Sequence, residues 1–454
     1  MRSYRFEAAL LPEGWARDVC IAVSDSGLIA GIGAGADAPD AQCIDGIAVP
    51  GMPNAHSHAF QRAMIGTAEF RQSAQDSFWT WRNAMYALAN RVVPADIQVI
   101  ATRLFIEMLK SGYTSVAEFH YLHRGLDGGA LGDDNPLHEA IVEAARATGI
   151  GLTLLPTLYQ HSDFGAKPLR ADQRRFELSL AEFVAAIQFR SRTAAPGSLI
   201  RCGAAFHSLR AVGIPVMREA IAELKSIDAS MPVHIHVAEQ LHEVNACRRA
   251  TGKRPVELLL DEGALSRHWC LVHATHANAA ELGGVADSGA TICVCPTTEG
   301  NLGDGFFNAE PYLAQGGSLC IGSDSQASVC AAEELRWFEY QHRLKRRRRA
   351  VLASPEEPHV GTRLWCEAAR SGARALGQPV GEIRAGRRAD WLVLDPHDAS
   401  MAGARMENVL DRLVFTNARS AIRDVVVGGR WVVGNRRHAL EHASAIEFEA
   451  WMRG

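Results

Sequence analysis

Four short apolar runs of this sequence carry histidine or aspartate at or near their carboxyl ends. They are residues 53–58 (PNAHSH), 233–239 (VHIHVAE), 271–276 (LVHATH) and 321–325 (IGSDS). Side chains two apart on a strand point to the same side, so His56 and His58 can bind one metal ion. Singly, each run is more simply explained by a hydrogen-bonded core histidine or a helix-capping aspartate. Four such endings in one chain favour a shared metal site.

The residue types in these runs suit hydrolytic chemistry. Neutral imidazoles with one carboxylate are good zinc ligands and leave a position open for water. Zinc lowers the pKa of bound water to about 7, which supplies hydroxide at neutral pH. Glu239 closely follows the second histidine of VHIHVAE, where it can take a proton and pass it to a leaving group. The pattern predicts a metal-dependent hydrolase.

The runs that carry these residues belong to a longer alternation of apolar and helical segments. Eight strand candidates alternate with helical patterns such as Pro94–Ser111, Pro136–Thr148, Arg174–Arg190 and Ile214–Ile227, which predicts a (β/α)8 barrel. Barrel enzymes hold their chemistry at the carboxyl ends of the strands, where the polar residues of this sequence lie. The strand candidates are Ile47–His58, Thr114–His120, Gly151–Leu158, Leu199–Phe206, Pro232–Val237, Trp269–Ala274, Thr291–Cys295 and Ser318–Gly322.

Both ends of the chain are rich in short β patterns. Residues 51–383 are predicted to form the hydrolase barrel, and residues 1–50 and 384–454 a small β-sandwich domain. The paired glycines Gly428 and Gly429, between two valine-rich runs, predict a hairpin. The strand predictions at the ends are Asp18–Val23, Leu28–Ile32, Gln42–Val49, Ala389–Leu394, Arg412–Thr416 and Val425–Val433.

Composition excludes several classes of partner. The formal net charge is −4, so no overall field attracts nucleic acid or membrane. The basic run Lys345–Arg349 follows a helical pattern and is interpreted as its solvated end. Ten cysteines occur without a Cys-x-x-Cys pair, which favours reduced thiols in a cytoplasmic protein. The sequence shows neither a signal peptide nor an apolar stretch long enough to span a bilayer.

The arrangement His56-x-His58, His236-x-x-Glu239, His273 and Asp324 resembles the mononuclear zinc deaminases of the amidohydrolase superfamily. Longer stretches resemble the formimidoylglutamate deiminase family, notably residues 53–64 (PNAHSHAFQRAM), 76–82 (DSFWTWR) and 298–305 (TEGNLGDG). The resemblance implies one zinc ion held by His56, His58, His236 and Asp324. It implies that Glu239 moves the proton and that His273 and Asp324 hold the tetrahedral centre. The strand-three and strand-four candidates lack the lysine that bridges two metals in binuclear members.

The same resemblance implies a substrate and a reaction. Metal-bound hydroxide would attack the formimino carbon of N-formimino-L-glutamate, a dicarboxylate of histidine degradation, giving N-formyl-L-glutamate and ammonia. A homodimer is also expected. Trp79 and Trp81 are interpreted as packing or as the wall of a lid, and Gly300 and Gln326 depart from the family pattern. The expected substrate-binding residues are Gln61, Arg82, Tyr121, His207 and Arg210.

Two other readings remain open from the sequence. The first keeps the metal and exchanges the substrate for a ring, as in a guanine or adenosine-type deaminase. The second is a barrel that has lost its metal and serves as a scaffold. The complete ligand set argues against the scaffold.

Overall fold

The structure, a computed structural model, describes residues 1–35, 40–67, 69, 78–193, 198–416 and 418–454. Its strands form two separate sheets, one parallel and one mixed. The parallel sheet is built from the middle of the chain. The mixed sheet combines the two ends. Within the described residues, no helix is both long and apolar enough to cross a membrane.

Strands of the parallel sheet follow one another around a barrel. Strands β5 to β13 pair in chain order, and the fourth position is shared by two short strands interrupted at Gly203. A parallel bridge between Ser57 and Asp324 joins the end of the first barrel strand to the segment after the last one. The strands are β5 (Met52–Ser57), β6 (Tyr113–His120), β7 (Gly151–Leu158), β8 (Ile200–Cys202), β9 (Ala204–Phe206), β10 (Val233–Val237), β11 (Trp269–His273), β12 (Thr291–Val294) and β13 (Ser318–Ile321).

Helices connect the barrel strands, and their ends carry the expected signals. One helix starts at Pro136 after an Asn135 cap and stops at Gly149, whose φ of 76° is left-handed. The helices are α1 (Phe78–Ala89), α2 (Pro94–Lys110), α3 (Pro136–Thr148), α4 (Leu180–Thr193), α5 (Ile214–Ile227), α6 (Leu241–Thr251), α7 (Pro255–Asp261), α8 (Ala279–Ser288), α9 (Pro296–Leu302), α10 (Ala309–Ala314), α11 (Ala331–Arg346), α12 (Val360–Leu376), α13 (Val409–Phe415) and α14 (Glu441–Arg453).

The terminal segments form an eight-stranded sheet in the order β17-β16-β15-β14-β4-β1-β2-β3. Antiparallel pairing of β4 with β14 unites the two ends of the chain. The predicted class, a (β/α)8 barrel with a small β unit from both termini, is confirmed. The division at residues 50 and 383 stays a prediction. The terminal strands are β1 (Arg2–Leu11), β2 (Gly14–Val23), β3 (Ile29–Ala34), β4 (Gln42–Pro50), β14 (Trp391–Leu394), β15 (Ile422–Val427), β16 (Arg430–Gly434) and β17 (Arg437–His438).

The predicted strand Ile47–His58 divides between the two sheets. Gly51 separates β4 from β5, and a Cβ atom at this position would overlap the side chain of Thr114. A glycine is therefore required where the chain passes from the terminal sheet into the barrel. The chain carries its first metal-ligand candidates only a few residues after this crossing.

One predicted strand is wrong. Residues 412–416 lie at the end of helix α13, not in a strand. The buried residues of that helix are Val409, Leu410, Leu413 and Val414, and their spacing is helical. The predicted strand covered only the last part of this helix. An apolar run that short does not show the helical spacing of its buried residues.

Candidate active site

The four predicted metal ligands converge at the barrel mouth. Nε2 of His56 lies 3.1 Å from Nε2 of His58 and 2.9 Å from Nε2 of His236. Oδ1 of Asp324 lies 3.4 Å from Nε2 of both His56 and His58. All four residues are buried, and their four ligand atoms lie within 4.8 Å of one another. Strands β5 and β10 and the segment after β13 supply them.

Hydrogen bonds fix the tautomers of two of these histidines. Nδ1 of His58 lies 2.8 Å from the carbonyl oxygen of Phe119, and Nδ1 of His236 lies 3.0 Å from that of His207. A carbonyl only accepts, so each Nδ1 carries the proton and each Nε2 of the neutral ring presents a lone pair. Burial lowers the pKa of both histidines, and of His56, which favours neutral rings.

These lone pairs point at one another. A neutral His56 ring can place at most one proton between itself and the two facing Nε2 atoms, so the cluster is not satisfied by hydrogen bonds alone. A cation satisfies it. Ligands of a tetrahedral zinc, at about 2.0–2.1 Å from the metal, lie roughly 3.3 Å apart. The observed separations of 2.9–3.4 Å match that value. The residues present fit a zinc ion.

Several residues at the barrel mouth have a left-handed backbone conformation. Ala238, His273, Ala274 and Asp324 have φ between 47° and 70° although none is glycine. Such conformations cost free energy and persist where the surroundings hold them. Here the main chain is held by hydrogen bonds from Ala274 N to Val237 O, 3.0 Å, and from Asp324 N to His56 O, 3.0 Å.

Glu239 and His273 face the ligand cluster. Nε2 of His273 lies 4.0 Å from Oε1 of Glu239 and 3.7 Å from Oδ2 of Asp324. On its other side, Nδ1 of His273 lies 3.3 Å from Oε1 of Glu299. Burial opposes protonation of His273, but the carboxylates of Glu239, Glu299 and Asp324 outweigh it and raise its pKa. Burial also raises the pKa of Glu239. A raised carboxyl pKa suits a group that takes up and releases protons.

A pocket opens above the cluster, and all five predicted substrate-binding residues line it. Gln61 Nε2 donates to the hydroxyl of Tyr121 at 2.7 Å, while Gln61 Oε1 has no partner in the structure. Trp81 also lines the pocket, whereas the side chain of Trp79 and residues 76–77 lie outside the described residues. The lining consists of His58, Gln61, Trp81, Arg82, Met85, Tyr86, Tyr121, Tyr159, Phe176, His207, Arg210, His236, Glu239, His273, Leu302 and Asp324.

Two guanidinium groups give the pocket its charge. Burial lowers the pKa of Arg82, and the positive charge of Arg210 adds to that effect. Burial also acts against the charge of Arg210, but Glu243 and Glu239 outweigh it and raise the Arg210 pKa. No carboxylate among the described residues forms an ion pair with Arg210. The pocket therefore holds positive charge opposite the metal cluster, an arrangement that suits an anionic ligand.

Comparison with known proteins identifies the family. The profile described as the amidohydrolase family matches residues 47–432. The chain belongs to the amidohydrolase family. The profile of the N-terminal domain of formimidoylglutamate deiminase HutF also matches, at residues 6–42 of this amidohydrolase.

Curated relatives refine the placement of this amidohydrolase. Formimidoylglutamate deiminase of Pseudomonas aeruginosa is 48% identical over 443 residues, covering 97% of each chain. 8-Oxoguanine deaminase of the same organism is 27% identical and covers 88% of this chain and 85% of its own. The protein is a homologue of formimidoylglutamate deiminase and a hydrolase acting on carbon–nitrogen bonds, as predicted.

Solved structures of relatives agree with the fold. An amidohydrolase from Brucella melitensis superposes with a TM-score of 0.92 at 39% identity, covering 100% of this chain and 99% of its own. An adenosine deaminase from Xanthomonas campestris with bound zinc gives 0.81 at 21% identity, covering 99% and 98%. The second likeness concerns the fold alone.

Sequence reasoning missed two carboxylates of this amidohydrolase. Glu299, in α9, contacts His273 and accepts from Cys295 N at 2.8 Å. Glu243, in α6, accepts from the backbone N–H groups of Ala238 and Glu239 at 3.2 and 3.1 Å, which holds the turn that carries Glu239. Each follows a barrel strand within the first turn of the next helix, and that position was the available signal.

His234, the other histidine of strand β10, lies apart from the ligand cluster. Its Nε2 lies 2.8 Å from the carbonyl oxygen of Ala375, near the end of α12. The ring is fully buried, and burial lowers its pKa to about 4. The contact connects strand β10 to α12.

Proposed function

We propose that this protein hydrolyses N-formimino-L-glutamate to N-formyl-L-glutamate and ammonia. The observation that carries the proposal is a pocket with a metal-ligand cluster at its floor and two guanidinium groups, Arg82 and Arg210, in its lining. The 48% identity to a formimidoylglutamate deiminase over nearly the whole chain supports the same substrate.

The proposed cofactor is one zinc ion per chain, held by His56, His58, His236 and Asp324. Three neutral imidazoles and one carboxylate form a donor set that zinc prefers. When bound, zinc lowers the pKa of a water molecule to about 7 and so supplies a nucleophile at neutral pH.

Glu239 is the proposed proton carrier. Its carboxylate takes a proton from the attacking water as the new carbon–oxygen bond forms at the formimino carbon. It then delivers this proton to the terminal nitrogen, and the hydroxyl proton of the tetrahedral centre follows by the same route as the carbon–nitrogen bond breaks and ammonia leaves. The balance is one water consumed and one ammonia released, with the oxygen retained as the formyl carbonyl. The raised pKa of Glu239 favours both transfers.

His273 and Glu299 form the proposed second element of catalysis. With Nδ1 bonded to Glu299, His273 directs Nε2 toward Glu239 and Asp324. A protonated ring at that position donates to the tetrahedral centre and stabilises the charge that develops there. Asp324 is proposed to contact the same centre in addition to its ligand role.

Recognition of the dicarboxylate is assigned to the polar lining. Arginine binds carboxylates through two parallel hydrogen bonds and keeps its charge when buried. Arg82 and Arg210 are proposed to bind the two carboxylates of the substrate. Gln61, Tyr121 and His207 add neutral hydrogen-bonding groups, and Gln61 Oε1 is still available to accept a bond.

A ring deaminase is the second candidate. Tyr86, Tyr121, Tyr159 and Phe176 line the pocket, and aromatic walls can stack on a flat base. The relation to 8-oxoguanine deaminase supports the same reading. Against it stands Arg210, since a neutral base would offer its buried guanidinium no anionic ligand.

Assembly and compartment are part of the same proposal. We propose a homodimer that acts on a small molecule in the cytoplasm. All ten cysteines are free, and seven of them are buried, as expected in a reducing compartment.

Release of ammonia from N-formimino-L-glutamate by the zinc-loaded enzyme tests the proposal directly. The matched control is the analogue that lacks one carboxylate, with 8-oxoguanine and guanine as ring substrates. We expect kcat/KM for the diacid to exceed that of the monoacid at least about 100-fold, because a buried arginine would lose its partner. Equal values for both acids, or faster turnover of a base, would refute the assigned substrate.

A further inference from the structure

We propose that Gln326, with Ser57 and Glu118, positions the metal ligands on the two sides of the barrel closure, the junction between the end of β5 and the segment after β13. Through these contacts Gln326 controls how slowly the metal is lost. The inference rests on the zinc site proposed above. It concerns retention of the metal and is independent of which substrate the enzyme uses.

The side-chain amide of Gln326 makes three hydrogen bonds at this closure, two from its nitrogen and one to its oxygen. Its Nε2 donates to Ser57 Oγ at 2.9 Å and to the carbonyl oxygen of Asp324 at 2.8 Å. Its Oε1 accepts from Ser323 Oγ at 2.8 Å. The Asp324 carbonyl can only accept, which fixes the orientation of the amide. Gln326 is 1% exposed and has a φ of 64°.

The network continues from Ser57 into the neighbouring strand. Ser57 Oγ donates to Oε2 of Glu118 at 2.6 Å, and the backbone N–H of Ala59 donates to Oε1 at 2.6 Å. Burial raises the pKa of Glu118 to about 8, and the two donated bonds oppose that rise. The single hydroxyl proton of Ser57 is used toward Glu118, so Ser57 accepts from Gln326.

Ser323 is hydrogen-bonded in the same way on the other side of the barrel closure. Its hydroxyl donates to Gln326 and accepts from Asn54 Nδ2 at 2.6 Å. Its backbone N–H donates to Asn54 Oδ1 at 3.0 Å. Every hydroxyl in the chain of bonds therefore donates once and accepts once, and one proton arrangement satisfies all of them. A fully satisfied buried network of this kind rigidifies its surroundings.

The network lies next to three of the proposed metal ligands, His56, His58 and Asp324. Ser57 stands between His56 and His58 in the sequence, and Ser323 directly precedes Asp324. Main-chain bonds from His58 N to Asp324 O, 3.1 Å, and from Asp324 N to His56 O cross the same closure. The Asp324 carbonyl thus accepts from both His58 and Gln326. Loss of the amide would free the segment that carries Asp324 relative to the one that carries both histidines.

The side-chain amide of Gln326 suits this position because it offers N–H donors and an oxygen acceptor in fixed directions. Supporting contacts around metal ligands typically change metal affinity by about 10–100-fold when they are removed.

The test is the rate at which zinc-loaded protein gives up its metal to a chromophoric chelator in the absence of substrate. The variant is Gln326→Met, which keeps the length and removes all three bonds. The matched control is Gln378→Met. Gln378 is 7% exposed and donates to Thr153 Oγ1 at 2.8 Å, in the amino-terminal half of strand β7 and outside the ligand cluster.

We expect Gln326→Met to lose zinc at least about 10-fold faster than wild type, and Gln378→Met to stay within about twofold. Equal rates for the two variants would overturn the proposal, even if both lower thermal stability. If Gln326→Met does not fold, Ser57→Ala removes only one hydroxyl and must show the same acceleration. A wild-type protein that binds no zinc would instead refute the metal site itself, which separates the two failures.

Discussion

The chemistry of this site depends on which nitrogen of each histidine carries the proton. Carbonyl partners at Phe119 and His207 assign the proton of His58 and His236 to Nδ1 and leave Nε2 bare. His273 is oriented in the same sense, with Nδ1 toward an oxygen and Nε2 toward the site, but its partner is the carboxylate of Glu299, whose negative charge favours a ring protonated on both nitrogens. Similar side chains thus serve as metal ligands or as a proton donor, and the partner of Nδ1 decides between the two.

Replacement of Glu239 separates proton transfer from metal binding. Glu239→Gln keeps the shape but cannot accept a proton, so we expect kcat to fall by about 10²–10⁴-fold. Its zinc content should remain that of wild type, because Glu239 is outside the ligand group of His56, His58, His236 and Asp324. Steady-state ammonia release and metal analysis of the same preparation check both statements. Substantial turnover in the variant would remove Glu239 from its assigned role.

At the scale of elements, the strand ends were predictable and several connecting elements were not. Helices α3 and α5 begin and end where the sequence predicts, and both have proline in their first turn. Strand β1, central to the terminal sheet, and helix α14 were not predicted. Residues 4–8 of β1 do alternate apolar and charged side chains, so the period of this strand is present in the sequence. Residues 441–453 have only Ser444 buried, so helix α14 shows no strong apolar face.

The histidines of the candidate site were easier to predict from the sequence than the carboxylates beside them. Histidines on apolar strands are costly to bury without a partner, and that cost makes them visible in a single sequence. Glu299 and Glu243 lie in helices where glutamate is common, so nothing in their residue type marks them. Their roles became visible only through contacts with His273 and with the turn at Ala238.

Replacing two helical glycines by alanine should change the free energy of unfolding in opposite directions. Gly300, in α9, has open space where a Cβ atom would lie, and Gly300→Ala should raise the free energy of unfolding by about 0.5–1 kcal/mol. Gly361, in α12, packs against the backbone of Leu410 and Asp411, and Gly361→Ala should lower it by about 1–3 kcal/mol. Thermal unfolding midpoints of the zinc-loaded variants compare them. Shifts of the same sign would contradict this account of helix packing.

At the scale of the whole molecule, the candidate metal site and the terminal sheet both contact the first barrel strand, β5, or the residues next to it. The indole of Trp365, in α12, donates to the carbonyl oxygen of Pro50 at 2.9 Å, just before the chain enters β5. His56 and His58 follow within eight residues, and Asp324, which comes after the last barrel strand, meets them at the carboxyl end of the barrel. The terminal sheet and the proposed metal site therefore lie at opposite ends of strand β5.

Zinc should therefore stabilise the entire fold. Only in the folded chain does Nε2 of His56 lie within 3.1 Å of Nε2 of both His58 and His236, so zinc binds the native state preferentially. At free zinc 100-fold above its Kd, the gain is about 2.7 kcal/mol. Chelator-treated protein should unfold at a lower temperature, and zinc should restore the midpoint. Magnesium should not, because it prefers oxygen ligands. Asp324→Asn, which removes the carboxylate ligand, should respond much less to zinc. An unchanged midpoint after metal removal would mean that the four side chains do not act as a joint ligand set.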